Sequence, residues 1–120
     1  MPYVSYIEFN VPATAPAAAF YKQAFGWDPQ GWGDDENYLI SSHGDEPGID
    51  TALQTAPDGK PPAIPIITVP DLDTSIAAVK KAGGTITVER FAIEGMGYAA
   101  YFTDPSGLTL GIYQNDANAK

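Results

Sequence analysis

Residues 10–26, NVPATAPAAAFYKQAFG, and residues 68–84, TVPDLDTSIAAVKKAGG, align with each other at an offset of 58. Val11 and Pro12 fall on Val69 and Pro70, Ala19 on Ala77, Lys22 on Lys80, Ala24 on Ala82 and Gly26 on Gly84. In each copy an apolar run of strand type stops at Val-Pro, and a helical pattern then runs to a glycine. The offset is about half of the 120 residues, so the chain reads as two copies of one strand–helix unit. A paired architecture of this kind places its ligand site, by expectation, between the copies.

Working outward, residues 3–11, YVSYIEFNV, alternate with period two, putting Ile7, Phe9 and Val11 on one face and Tyr6, Glu8 and Asn10 on the other. The apolar face is expected to meet a helix, for which Thr14 is the predicted N-cap, Pro16 lies in the first turn and Gly26 closes the end. Phe20, Tyr21, Phe25 and Trp27 have the spacing of a helix face and a following short strand near Trp27, and are expected in the core. Tyr38–Ser42 and Asp50–Gln54 read as two further strands around the turn-forming HGDEPG. Residues 56–63, APDGKPPA, form a proline-rich linker between modules of about 1–55 and 64–115. The second module repeats the plan: strand Ile64–Val69, a helix capped by Asp71 or Asp73 and ended by Gly83 and Gly84, then strands Thr85–Glu89, Tyr98–Thr103 and Leu108–Tyr113. Asp104, Pro105, Ser106 and Gly107 suit a type I turn between the last two. The expected fold class is α+β, one domain over residues 1–120 made of two βαβββ modules with mixed sheets.

Composition narrows the function. Six Lys and Arg against fifteen Asp and Glu give a net charge of −9, which repels the phosphate backbone and argues against nucleic acid. No apolar stretch approaches the ~20 residues of a membrane span, and no signal core is visible, so no membrane partner and a cytoplasmic location are expected. The absence of cysteine removes disulfides, thiolate metal sites and a cysteine nucleophile.

The order strand–helix–three strands, given twice, with FYKQAFGW at 20–27 and FTDPSGLTLGIYQ at 102–114, resembles the vicinal oxygen chelate superfamily of glyoxalase I, extradiol dioxygenases and bleomycin resistance proteins. The resemblance implies two modules curling around a shared cleft lined by metal ligands, and homodimers are common among its members. It places the first ligand position on Tyr6, the equivalent in the second module on Ile64, the last on Gly111, and the remaining one close to Ala52, or on Gln54 after a slip of two. Isoleucine and glycine side chains cannot bind a metal, and a divalent ion held this way wants three or more protein ligands. No metal and no other cofactor are therefore expected.

What remains is a cleft lined by Tyr6, Glu8, Asn10, Gln54, Thr68, Tyr101, Thr109 and Tyr113, suited to a small organic molecule. Glu8 is the candidate catalytic residue: as a buried carboxylate it would serve as a general base or as an anchor for a cationic ligand. The alternative is a structural role, hydrogen-bonded to Tyr6, Tyr101 or Tyr113. Three functions stay open at this stage: a metal-independent binding protein, a glyoxalase-type lyase or isomerase, and an interaction module with a vestigial cleft. His43, the sole histidine, lies in a turn off the cleft strands, and neither it nor Trp32 has an assigned role. The glycines at 31, 33, 95 and 97 do not form a phosphate loop, because no strand leads through them into a helix.

Overall fold

A computed structural model describes residues 1–56 and 60–120. Pro57, Asp58 and Gly59, within the expected linker, lie outside the described residues. The element order is β1 (Tyr3–Val11), α1 (Thr14–Phe25), β2 (Gln30–Trp32), β3 (Asp35–Ser41), β4 (Asp50–Thr55), β5 (Ala63–Thr68), α2 (Leu72–Lys81), β6 (Thr85–Ile93), β7 (Gly97–Thr103) and β8 (Thr109–Asn115). This is βαβββ twice, an α+β fold as expected. Two compact units are present: a first, Tyr6–Ile64, and a second, Met1–Ser5 with Pro65–Lys120.

In the first unit the strand order is β2-β3-β4-β1, with β1 and β4 parallel and the other pairs antiparallel. In the second it is β5-β8-β7-β6, with β5 and β8 parallel and the rest antiparallel. Each parallel pair is the strand before the helix beside the last strand of its module, the same connection made twice.

The second unit holds the larger core. Val69, Leu72, Ile76, Ala100, Phe102 and Ile112 form one buried cluster, with Ile67, Val79, Ile86, Tyr98 and Leu110 packed against it. Helical spacing puts Leu72 and Ile76 on one face of α2, and the period of two puts Ala100 and Phe102 on one face of β7, so both elements turn an apolar side to the same place. Asp71 caps α2 by accepting from the Thr74 amide at 2.9 Å. Arg90 on β6 pairs with Asp73 at 2.7 Å, and its guanidinium lies 4.0 Å over the Tyr98 ring, tying the start of α2 to the sheet. The Asp104 turn closes as expected, with Gly107 N–H donating to the Asp104 carbonyl at 2.9 Å and the Asp104 carboxylate accepting from Ser106 and Leu108.

The first unit departs from expectation in three places. Thr14 is not the N-cap: it is the first helical residue, buried, and its hydroxyl donates to the Glu36 carbonyl at 2.7 Å, while Ala13 occupies the cap position with no side chain to offer. The short irregular strand expected near Trp27 is β2, displaced to begin three residues later at Gln30, with a register shift between Gly31 and Trp32. The aromatic residues of α1 are not core. Phe20 is 60% exposed, Phe25 66% and Trp27 38%. Their rings pack on one another instead, Tyr21 lying stacked on Trp27 at 5.2 Å and edge-to-face with Phe20 at 5.1 Å. Phe9, Leu53 and Leu39 are ladder neighbours on the sheet face opposite Glu8, and of these only Leu53 and Leu39 are buried. Gly26 ends α1 as expected, at φ 74°, the left-handed conformation that lets its N–H reach the Lys22 carbonyl.

Among the described residues no helix is long and apolar enough to cross a membrane.

Candidate functional site

Alternation along β1 sends Tyr6, Glu8 and Asn10 to one face of the first-unit sheet, and the ladder sets Asp50, Ala52 and Gln54 of β4 directly beside them. Antiparallel pairing then puts Ile40 beside Ala52 and Tyr38 beside Gln54. On this face Glu8 is only 6% exposed, the deepest residue of β1 and deeper than its apolar neighbours Ile7 and Phe9. Burying a carboxylate is costly unless it is hydrogen-bonded. Tyr38 meets that need by donating its hydroxyl to Glu8 Oε2 at 2.7 Å. Because the Tyr38 proton is committed to the carboxylate, the Tyr6 hydroxyl, 2.9 Å away, is the donor to Tyr38. Tyr6, Tyr38 and Glu8 therefore form a directed chain, O–H to O–H to carboxylate.

The electrostatics follow from the same geometry. Removal from water pushes the Tyr6 phenol up to about 12; the Tyr38 hydrogen bond opposes this, and the nearby Glu8 and Asp50 charges add to it. Tyr38 is pushed further in the same direction, first by burial and then by the Glu8 charge. Both phenols stay protonated at neutral pH, as donors must.

Asn10 lies on the same face but is engaged elsewhere: its side-chain amide donates to the Pro61 carbonyl at 2.7 Å and its backbone N–H to Pro62 at 2.9 Å. Gln54 stands beside both Asn10 and Tyr38 in the ladder. Tyr38 was missing from the expected site. The alternation within Tyr38–Ser42 could have shown which face it shares with Ile40, but not that β3 pairs with β4 in the register that brings its hydroxyl to Glu8.

The remaining expected residues belong to the second unit. Thr68 pairs with Tyr113, Thr109 with Thr103, and Tyr101 with Gly111. The Thr68 hydroxyl is 2.5 Å from that of Ser5, the Tyr113 hydroxyl donates to the Met96 carbonyl at 2.8 Å, and the Tyr101 ring stacks on Phe91 at 6.1 Å.

The ladders also resolve where the fourth ligand position falls. Glu8 and Ile66 are repeat equivalents at the offset of 58, and Ala52 stands opposite Glu8 as Gly111 stands opposite Ile66. Ala52, not Gln54, is thus the first-unit counterpart of Gly111. The space at Gly111 is taken. A Cβ there would come within 2.5 Å of Ile66 Cδ1 and 3.2 Å of Tyr101 Cε1. Among the described residues, no three His, Cys, Asp or Glu side chains lie close enough together to hold a metal ion.

The description Glyoxalase/Bleomycin resistance protein/Dioxygenase superfamily matches residues 3–112. The chain belongs to this family. Its curated relatives include "Putative glyoxylase CFP32" from Mycobacterium tuberculosis, 25% identical over an alignment 119 positions long that covers 92% of this chain and 44% of the relative. The chain thus spans less than half the length of the curated relatives it matches. Among solved structures, a glyoxalase/bleomycin resistance protein/dioxygenase superfamily member from Vibrio splendidus is similar at a TM-score of 0.69 and 14% identity, covering 97% of this chain and 100% of that one. The Mn(II)-bound glyoxalase of Novosphingobium aromaticivorans is similar at a TM-score of 0.67 and 23% identity, covering 99% of this chain and 41% of that one. These structural likenesses establish the shared fold. The metal implied by the family does not fit the residues present: its four positions carry Tyr6, Ala52, Ile64 and Gly111, of which only the tyrosine has a polar side chain.

Proposed function

We propose that this family member is a metal-independent binder of a small organic molecule, seated over the sheet face that carries Glu8, in a cytoplasmic homodimer. One observation carries the reading: Ile66 and Tyr101 fill the space over Gly111, where the family's last metal ligand would project. Glu8, Tyr6 and Gln54 are the ligand-facing polar groups of the first unit, with Asn10 contributing through whatever its bond to Pro61 leaves. Thr68, Tyr101, Thr109 and Tyr113 are the ligand-facing residues of the second. A preformed set of tyrosines around one carboxylate suits a flat molecule bearing a donor or a positive charge, since apolar walls supply burial and few polar groups fix orientation. The exposed Phe20 and Phe25 of α1 support the homodimer, because large apolar side chains left in water favour association. A thermal-shift screen of small aromatic and dicarbonyl compounds, with and without divalent metal, tests the proposal: stabilisation should be unchanged by metal, and a metal-dependent hit contradicts it.

A second reading is a lyase or isomerase of glyoxalase type with Glu8 as the base. The Tyr6–Tyr38–Glu8 chain favours it, because the Tyr38 hydroxyl holds the buried carboxylate in one orientation, from which it can take a proton from one substrate atom and return it to a neighbouring one. Once a substrate is found, Glu8→Gln should reduce turnover at least ~100-fold if Glu8 is the base. A Glu8→Gln variant with full activity removes that role.

A further inference from the structure

We propose a second ligand site in the first unit, away from Glu8, that takes a small organic cation: an amine or quaternary ammonium on an apolar body. Between the end of α1, the end of β3 and the loop before β4 lies a cavity of about 520 Å³, within the range of small-molecule sites. Trp27, Asp28, Ser41, His43, Glu46 and Thr51 are among its lining residues. Ser41 and Thr51 are ladder partners one residue away from Ile40 and Ala52, so they project to the opposite face of the sheet from Glu8.

The lining selects by charge and shape. It contains two carboxylates, Asp28 and Glu46, and neither Lys nor Arg; Lys22, outside the lining, lies 3.8 Å from Asp28, so the negative charge that repels an anion and attracts a cation rests mainly on Glu46. Trp27 supplies an indole, the best side chain for cation–π attraction, held in place by Tyr21 stacked at 5.2 Å. Pro47 and Ile49 add apolar wall.

The loop is built to hold its shape. The His43 N–H donates to Asp50 Oδ1 at 3.1 Å, and the Glu46 N–H donates back to the His43 carbonyl at 3.1 Å. His43 Nδ1 lies 2.6 Å from the Glu46 carbonyl, which can only accept, so Nδ1 carries a proton. His43 Nε2 is 3.6 Å from Asp50 Oδ1, a contact that becomes an ion pair only when the imidazole is protonated. The lone histidine thus organises the cavity wall. Ser41 and Thr51, partners across the β3–β4 ladder and both in the lining, carry hydroxyls that can accept from an ammonium N–H or from a hydroxyl on the ligand.

Three probes with one ring and different charge test this: benzyltrimethylammonium, benzyl alcohol and benzoate, titrated by calorimetry into the full chain. The expected result is saturable binding of benzyltrimethylammonium, at least about fivefold weaker binding of benzyl alcohol, and none of benzoate. Trp27→Leu and Glu46→Gln should each weaken benzyltrimethylammonium about fivefold or more. Glu46 is in an exposed loop, so Glu46→Gln remains informative even if Trp27→Leu fails to fold. Benzoate binding as tightly as the cation, binding insensitive to Glu46→Gln, or no saturation below about 10 mM would each overturn the proposal.

Discussion

The two helices occupy equivalent places in the repeat and treat their apolar residues in opposite ways. On α2, Leu72 is fully buried and Ile76 nearly so, and both belong to the core cluster of the second unit. On α1, Thr14 is the one buried residue, while Phe20 and Phe25 are more than half exposed. The sheets differ in the same sense. The second unit sets Ile66 against Gly111, whereas the first sets a buried carboxylate, Glu8, against Ala52. At these positions one copy of the repeat buries apolar side chains, and the other buries a carboxylate and leaves large aromatic side chains exposed.

That contrast can be broken most directly by truncation. Leu72→Ala should destabilise the protein by about 2–5 kcal/mol in urea unfolding, against less than about 1 kcal/mol for Phe25→Ala, because only the first opens a cavity. Equal losses would mean that α1 is as well packed as α2. Tyr38→Phe should cost about 1–3 kcal/mol by removing the Tyr38 hydrogen bond to the buried Glu8 carboxylate. Glu8 and Tyr38 replaced together by Leu and Phe should cost less than the sum of the two single changes, as a double-mutant cycle would show.

A smaller effect should appear with pH. Unfolded tyrosine ionises near 10, while Tyr6 in the folded state is pushed up to about 12 and Tyr38 beyond it, so the folded protein holds these protons longer. Their contribution is complete below pH 10 and is lost as pH rises from 10 through 12, so chemical stability should decline over that window. Tyr6→Phe should flatten the decline. An unchanged slope would place Tyr6 in water. The smallest expected change is a gain: α2 has the Asp71 cap and α1 has only Ala13, so Ala13→Asp should raise stability by about 0.5–1 kcal/mol.

Much of the fold was legible in the sequence because it is written in local patterns. The doubled Val-Pro, helix and glycine marked both βαβ starts, and period two placed Tyr6, Glu8 and Asn10 on one face. What was not legible depends on which surface a pattern meets. The spacing of Phe20, Tyr21, Phe25 and Trp27 describes an apolar helix face equally well whether a sheet covers it or water does. Thr14 fits an N-cap by type, yet its hydroxyl is drawn to a carbonyl 22 residues away, a contact that only tertiary structure supplies. Tyr38 is the same kind of case: its role exists only through the β3–β4 register. His43 gave no signal beyond its turn, because its work is done by loop hydrogen bonds at close range.

Calorimetric titration of the purified, chelator-treated chain with Mn(II) and Zn(II) tests metal independence most directly. No saturable, stoichiometric binding is expected, because Tyr6, Ala52, Ile64 and Gly111 offer no ligand set. One ion bound per chain, with affinity lost in Glu8→Gln, would contradict it and restore the family's metal chemistry to the Glu8 face.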